Sequence, residues 1–537
     1  MTKKILSRYN WNDRVPSYIK LEDLTAQQQH RLMESDTFCM IPWIHLHAWP
    51  DGRAYPCCLG KASHPVGNTK EKPMREIWND KPMRQLRQNM LEDKPCKECT
   101  DCYEQESFGF ASMRNNSNKN FGQHIGEVDL TLPDGSLPDF KLHYWDVRFS
   151  NICQLKCRSC GSIFSSRWYD DDVKLNNGKP LRPRVQFAGR HEEDIWEQMQ
   201  EHIPYLDQIY FAGGEPLIME EHNRILKLLI EKGNTDVRLI YNTNLNELRY
   251  KKESVLDLWK QFPNVCVAAS LDDMGKRAEV IRSGTDWAQV EQNIRDLKRE
   301  CPHIDFMLSP TLSAMNIWNF TKFHRYMVEQ GFIRAQDFNV NILQNPEAYR
   351  IDILPAELKE KFKQDFENHI EWLKPQDTIQ RAVGGFKAAI EFMMTNDNSH
   401  LLDQFWNMTD DLDEVRNEKL IDVVPELEQI LKYNKYNKDI IEQNTFIENY
   451  NNVADASWPT ISSKEEFNAL PEEIQQKVTE LQTADAETIE RNTFIESYNN
   501  VADPIWPRIS TVEEFYTLPD AIQQEVKETF NIIPPAR

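Results

Sequence analysis

The sequence predicts an α/β chain, and three observations carry that reading. From residue 141 onward, short β-branched or aromatic runs alternate with helical stretches, six times over about 230 residues. Nine of the eleven cysteines fall in two tight clusters, one before this alternation and one at its first turn. A unit that starts at residue 444 starts again at 492, a spacing of 48 residues. Alternating strands and helices are the signature of a parallel sheet, and six such units can close into a barrel or part of one. Periodicity alone does not separate that from an open, doubly wound sheet.

Residues 1–36 read as a polar arm with one helix near 21–34. Residues 37–105 form a cysteine-rich module, from FCMIPWIHLHAWPDGRAYPCCLG through CKECTDC, and 106–140 read as a linker with turn-rich MRNNSNKN and LPDGSLPD segments. The core, 141–350, has strands expected at 142–149, 208–212, 237–242, 265–271, 304–311 and 337–343. Helices are expected at 192–202, 220–232, 248–261, 286–300, 316–330 and 355–373. Residues 351–440 are a helical, acidic extension, and 441–537 hold the two repeat copies. In each copy Ser462 or Ser510 precedes Glu465 or Glu513 by three residues, the spacing of a capping box. Pro471 and Pro519 suit the first turn of a second helix. Each copy therefore reads as a helical hairpin anchored by Trp458 or Trp506, a duplicated docking element for a protein partner.

Composition narrows the class. Hydrophobic residues make up 40% and aromatics 10%, enough for a real core, and the formal net charge is -22. Excess acid argues against a nucleic-acid coat or a membrane-surface protein, both of which need a cationic face. The opening MTKKILSRYNWNDR lacks the apolar run of a signal peptide, and no stretch approaches the roughly 20 apolar residues of a bilayer span. The expectation is a cytoplasmic protein without membrane contact, whose clustered cysteines are metal ligands more readily than disulfides.

NICQLKCRSC places Cys153, Cys157 and Cys160 in CxxxCxxC spacing directly after the first core strand, KLHYWDVRFS. A structural zinc takes four ligands, and no fourth Cys or His is close in sequence. A cubane iron–sulfur cluster has four irons, so three thiolates leave one iron free for a substrate or cofactor. Loops at the C-terminal ends of barrel strands are where active sites sit. Four further segments follow in order: FAGGEP at 211–216, YNTNLNEL at 241–248, AASLDD at 268–273 and EVIRSG at 279–284.

With these segments the chain resembles the radical S-adenosylmethionine (SAM) superfamily, which implies a partial (β/α)6 barrel. The resemblance implies a [4Fe–4S] cluster on Cys153, Cys157 and Cys160 that chelates SAM. It places Gly213, Gly214, Glu215 and Pro216 at the methionine end of SAM, with Glu215 accepting from its ammonium. Asn244 belongs to a TNG-like segment in which Leu245 stands in place of glycine. Ser270 is expected at the ribose, Asp272 at the cavity and Arg282 at the SAM carboxylate. Ser159 departs from the aromatic residue often found before the third cysteine. The implied reaction is reductive cleavage of SAM to a 5′-deoxyadenosyl radical that abstracts hydrogen, fed by an electron donor such as flavodoxin or ferredoxin.

Cys39, Cys57, Cys58, Cys96, Cys99 and Cys102, with the segments around them, resemble SPASM and twitch modules, which hold auxiliary [4Fe–4S] clusters. Here the module precedes the barrel, whereas in those families it usually follows. The expected ligands are Cys39, Cys57, Cys96 and Cys99; Cys102 can replace one of them and Cys58 is ambiguous. A structural zinc on the CxxC pair is the alternative. His45 and His47 share one strand face and read as structural, and Cys266 and Cys301 as packing residues. Relatives with such modules often modify peptides or proteins, which makes a peptide the expected substrate. The alternatives are a small metabolite, or a non-catalytic scaffold whose acidic repeats recruit a partner. No residue beyond the SAM shell is singled out as catalytic.

Overall fold

The computed structural model describes residues 19–107, 112–431 and short stretches between 450 and 526. It divides into two units, Met1–Ile430 and Leu431–Arg537. The first unit is built around a five-stranded parallel sheet, with a smaller antiparallel sheet beside it. Its cysteine-rich module contributes β1 (His47–Ala48), β2 (Arg53–Tyr55) and β3 (Gly67–Asn68), which pair antiparallel in that order. The core contributes β4 (Tyr144–Trp145), β5 (Gln208–Phe211), β6 (Arg238–Thr243), β7 (Val265–Ala269) and β8 (Asp305–Leu308). These five pair in parallel in chain order. A sixth strand position continues the series: Leu308 bridges Phe338, and Thr311–Leu312 pairs in parallel with Asn341–Ile342. The six expected strand positions and the parallel order are those read from the sequence.

The burial pattern shows which face is which. Along β6 the exposure alternates half-buried and buried, and Tyr241 on the buried face packs on Trp259 and His222 of the surrounding helices. The half-buried set, Arg238, Ile240 and Asn242, therefore faces inward. Tyr210 on β5 and Met307 on β8 show the same pattern. An inward face more accessible than the outward one means that the barrel encloses a cavity rather than a packed core.

The module forms its own small sheet and abuts the edge of the parallel one. Ala48 bridges Val147 in parallel, the Arg148 N–H donates to the Ala48 carbonyl, and the His143 N–H donates to Ile44. The β4 edge is thereby paired instead of exposed. Residues 106–140 are not a linker. They carry helices Met113–Phe121 and Ile125–Asp129, the Arg114 guanidinium donates to the Ser35 and Phe38 carbonyls, and the Trp43 indole donates to Thr131 Oγ1. A polar, asparagine-rich sequence became structured because its polar groups satisfy buried carbonyls of the module. The helix expected from 248 begins only at Val255, after a tight hairpin, Arg249–Tyr250 with Glu253–Ser254. Residues 351–430 pack onto the same core through helices Ala356–Leu373, Arg381–Thr395 and Leu402–Arg416.

In the second unit the two copies repeat one tie: the Tyr450 hydroxyl donates to the Pro459 carbonyl, and Tyr498 donates to Pro507. The second copy is capped one residue later than the sequence suggested. Thr511, not Ser510, accepts from the N–H three residues on, and Glu514, not Glu513, completes the box. Glu513 is drawn instead to Arg491. The Pro519 carbonyl accepts from Ile522 and Gln523, so a turn does begin there. Trp458, Trp506 and Ser462 lie outside the described residues. Among the described residues no helix is long and apolar enough to cross a membrane.

Candidate active site

The cluster loop leaves β4 and is held from three sides. Arg282–Ser283 pairs antiparallel with Lys156–Cys157, with Arg282 opposite Cys157, so the segment after β7 lies directly on the loop. The Glu215 N–H donates to the Ile152 carbonyl, bringing FAGGEP against the residue before Cys153. A Cβ on Gly214 would sit 2.0 Å from the Ile152 oxygen, so only glycine permits this approach. Gln154 and Asn244 exchange amide hydrogen bonds of 3.2 and 3.3 Å, tying in the segment after β6.

Leu245 has φ +57, the left-handed region that glycine favours, so the backbone of the glycine position persists although the residue has changed. Asn244 can thereby donate its N–H to Glu215 Oε2 at 2.7 Å, while Thr243 Oγ1 and the Leu217 N–H donate to Oε1. Glu215 is thus a clasp between two strand-end loops. Its expected role toward an ammonium is left to the remaining acceptor capacity of Oε2. Burial pushes its pKa up to about 7 against the pull of these donors. Pro216 is buried at the start of the turn Pro216–Ile218, where it shapes the loop.

Arg282 makes a bidentate pair with Asp272, Nε to Oδ2 at 2.7 Å and Nη2 to Oδ1 at 3.0 Å. Its Nη1 reaches Cys157 Sγ at 3.8 Å. Ser270 is half-buried beside them, its N–H donating to the Thr243 carbonyl. The loop cysteines, GGEP, Asn244, Ser270, Asp272 and Arg282 thus converge at the C-terminal end of the sheet.

The module cysteines converge too, with a different membership from the expected one. Cys39, Cys57, Cys99 and Cys102 line one small cavity of about 20 Å³, walled also by Leu59, Met113, Glu98 and Arg114. Cys96 does not line it; its sulfur points to the Leu86 and Lys94 carbonyls at 3.8 and 3.7 Å. Both cysteine sets suit iron–sulfur clusters. Burial raises the Cys39 thiol to about 12, with the neighbouring Cys102 adding to the rise, and raises Cys160 to about 12, with Cys157 adding to it. Such thiols lose their protons when a cationic metal centre arrives. A tetrahedral zinc would draw its sulfurs to about 3.8 Å from one another. Among the described residues, the group of ligand atoms gathered within 4.8 Å is His124, His143 and Asp207, with no cysteine in it. That trio lies at the opposite end of β4 and β5. Its imidazoles are stacked at 3.8 Å and His124 hydrogen-bonds Asp207, which is a packed pair rather than a ligand arrangement.

Between the two cysteine sets lies a buried polar seam that the sequence reading missed. His45 and His47 hydrogen-bond the Tyr144 and Asp146 carbonyls through Nδ1, leaving both Nε2 atoms buried without a partner. Asp146 is fully buried, and neither carboxylate oxygen has a donor at good geometry. His47 Nδ1 stands 3.5 Å from Oδ2 and Arg148 Nε 3.8 Å from Oδ1. Burial raises the Asp146 carboxyl, opposed by Arg148. Cys58 and Tyr210, both half-buried, couple electrostatically to Asp146. Alternation from Tyr144 through Asp146 to Arg148 was the available signal for an inward polar face.

Comparison with known families agrees with this geometry. Residues 147–321 match the radical SAM superfamily, and residues 39–103 match the iron-sulfur cluster-binding domain called SPASM. These matches identify a radical SAM domain at 147–321 with a SPASM module N-terminal to it, and [4Fe–4S] clusters and SAM are the cofactors such domains use. A curated relative is the 7,8-dihydro-6-hydroxymethylpterin dimethyltransferase of Methanocaldococcus jannaschii, 23% identical over 172 residues, 31% of this chain. The matched part is 29% of that relative's length. Among solved structures, anSMEcpe with bound AdoMet is 16% identical with a TM-score of 0.31, covering 42% of this chain and 60% of that one. The same protein with AdoMet and a peptide is 14% identical with a TM-score of 0.29, covering 44% and 60%.

Proposed function

We propose that this chain cleaves SAM reductively and uses the product to abstract hydrogen from a peptide or protein. The observation that carries the reading is the convergence of three loop cysteines with the Glu215 clasp and the Asp272–Arg282 pair at one end of the sheet. When bound, the cluster and SAM supply a one-electron bond cleavage; the protein supplies position and enclosure. Cys153, Cys157 and Cys160 would hold the first cluster, leaving one iron for SAM. Gly213, Gly214, Asn244, Ser270, Asp272 and Arg282 would contact SAM. Cys39, Cys57, Cys99 and Cys102 would hold the auxiliary cluster.

The seam supports the substrate class. Asp146 offers a buried acceptor, while Arg148 offers a donor beside it. A peptide backbone brings the complementary N–H and C=O groups. A buried carboxylate with unfilled acceptor positions is costly until a ligand's donor arrives. A small flavodoxin- or ferredoxin-like protein would deliver the electron, and the repeats of the second unit would dock a protein partner.

The test is anaerobic reconstitution, reduction with dithionite and measurement of 5′-deoxyadenosine from SAM. Release from the wild type and none from Cys157→Ala is the expected result. Equal release from both would refute the assignment.

A further inference from the structure

The chain is acidic, with a net charge of -22, yet one segment beside the cluster loop is not. VKLNNGKPLRPRVQFAGR, residues 173–190, carries Lys174, Lys179, Arg182, Arg184 and Arg190 and no carboxylate. It leaves the helix Tyr169–Leu175 and runs on without helix or strand as far as 186. Its far end is stitched to the residues that lead into Cys153. Ser150 bridges Phe187, the Asn151 N–H donates to the Gln186 carbonyl, and the Gln186 N–H returns a bond to Asn151 Oδ1 at 2.9 Å. Asn151 Nδ2 also donates to the Arg184 carbonyl at 3.1 Å, and Gln186 Nε2 donates to the Ser162 carbonyl at 3.0 Å. A body resting on residues 179–185 is therefore one layer of backbone away from the cluster loop.

The segment shows water an apolar tip. Leu181 is 60% exposed, and Pro180, Pro183 and Val185 beside it are exposed too. Among the described residues nine large apolar side chains are exposed, and three of them, Leu175, Leu181 and Val185, fall here, so this is a patch rather than scatter. Its charges are only partly used. Arg184 pairs with Asp170, Arg190 pairs with Asp194, and the Lys174 ammonium donates to the Val415 carbonyl. Arg167, Lys179 and Arg182 have no carboxylate partner among the described residues. On the helix Tyr169–Leu175, Asp171 is taken by Lys156 and Arg416, which leaves Asp172 as its one unpaired carboxylate. Three free cations and one free carboxylate thus accompany the apolar tip, the reverse of the balance in the whole chain.

We propose that the loop 179–185, with Arg167, is the surface on which an acidic electron-carrier protein docks to reduce the SAM-binding cluster. This rests on the assignment of a cluster to Cys153, Cys157 and Cys160. A small apolar centre with unpaired cations suits a brief contact with an acidic partner, in which charge speeds encounter and sets orientation more than it adds affinity. A few loop side chains offer too little area for a stable subunit, and weak electron-transfer encounters sit at the low end of interface size. Position argues the same way. The SAM-binding segments hold the cluster loop at Ile152, Gln154 and Cys157, whereas this segment holds it at Asn151 and Ser162, so a partner here does not compete for the SAM groups. One electron leaves the reduced carrier and enters the oxidised cluster, and no bond forms or breaks in either partner.

The test uses the reconstituted full chain with SAM and two reductants, dithionite and a purified, photoreduced acidic flavodoxin. The double variant Lys179→Glu, Arg182→Glu is expected to keep the dithionite-driven release of 5′-deoxyadenosine and to lose about tenfold in kcat/KM for flavodoxin. The wild-type kcat/KM should fall as salt rises, and the variant should lose most of that dependence. Lys179→Arg with Arg182→Lys keeps the charge and should behave as the wild type. An unchanged flavodoxin-driven rate in the charge-reversed variant overturns the inference. So does a matching loss with dithionite, which would make the loop a support of the site. Binding is read apart from activity, by the anisotropy of dye-labelled flavodoxin titrated with each chain at low salt. Saturation by the wild type and the charge-keeping variant alone supports the inference, and equal binding by all chains, or by none, overturns it. A short DNA duplex that binds the wild type as tightly as flavodoxin overturns it in favour of a general polyanion site. Absence of 5′-deoxyadenosine from the wild type with dithionite would instead overturn the proposed function, and the binding titration would still decide the surface.

Discussion

Cys153, Cys157 and Cys160 stand on a loop among polar and charged side chains, with Arg282 reaching one sulfur and Asn244 and Asp272 close by. Cys39, Cys57, Cys99 and Cys102 instead line a cavity walled in part by Leu59 and Met113. Both sets are thiols whose protons burial retains. They differ in number and in what surrounds them. Three thiolates in polar company would leave an iron corner and ligand-binding groups together, the arrangement for chemistry. Four thiolates around a small cavity would satisfy every corner of a cubane, the arrangement for structure or electron storage.

The largest expected effect separates the two sets by function. Cys157→Ala should abolish SAM cleavage, whereas Cys99→Ala should lower bound iron from about eight to about four per chain and still cleave SAM without substrate. Iron analysis beside 5′-deoxyadenosine measurement reads both, and loss of cleavage in Cys99→Ala would erase the distinction. The next test sharpens the membership of the closed set. Cys102→Ala should lose the auxiliary cluster while Cys96→Ala keeps it, seen in iron content and the EPR of the second signal. The reverse pattern would restore Cys96 as the ligand.

Two smaller effects probe the polar side. Glu215 binds its proton more tightly folded than unfolded, since its pKa of about 7 lies above the ordinary value of 4.5. Stability from this group is therefore present below pH 4.5 and falls as pH rises toward 7, by about 3 kcal/mol in all. Thermal melts from pH 5 to 8 should show this slope in the wild type and a flatter one in Glu215→Gln; parallel slopes would remove Glu215 as its source. Asp146→Asn should lower stability by about 1–3 kcal/mol, since it leaves the Arg148 guanidinium without its counter-charge. Unchanged stability in thermal melts would mean that Arg148 does not depend on Asp146 for its neutralisation.

Much of this site was legible because its signals are local. CxxxCxxC, GGEP and the alternation along β4 to β8 are short-range patterns, and each maps to one turn or one strand. The capping box of the second repeat was found but displaced by one residue, since Ser510 and Thr511 compete for one cap and packing of Val512 and Phe515 chooses between them. The apparent linker at 106–140 was misread because polarity marks loops and also the side chains that satisfy buried carbonyls, as Arg114 does.

What the sequence determined by itself is the parallel α/β series, the two cysteine sets and the order of the loop segments around the first of them, because periodicity and ligand spacing act over a few residues. The tertiary structure alone decided that Cys102 rather than Cys96 closes the cavity, that Asp146 meets His47 across the seam of module and barrel, and that Arg416, 245 residues beyond Asp171 in the chain, pairs with it. Those contacts join residues far apart in the chain, and nothing local encodes them: they exist only once the sheet has formed and long-range packing has chosen the partners.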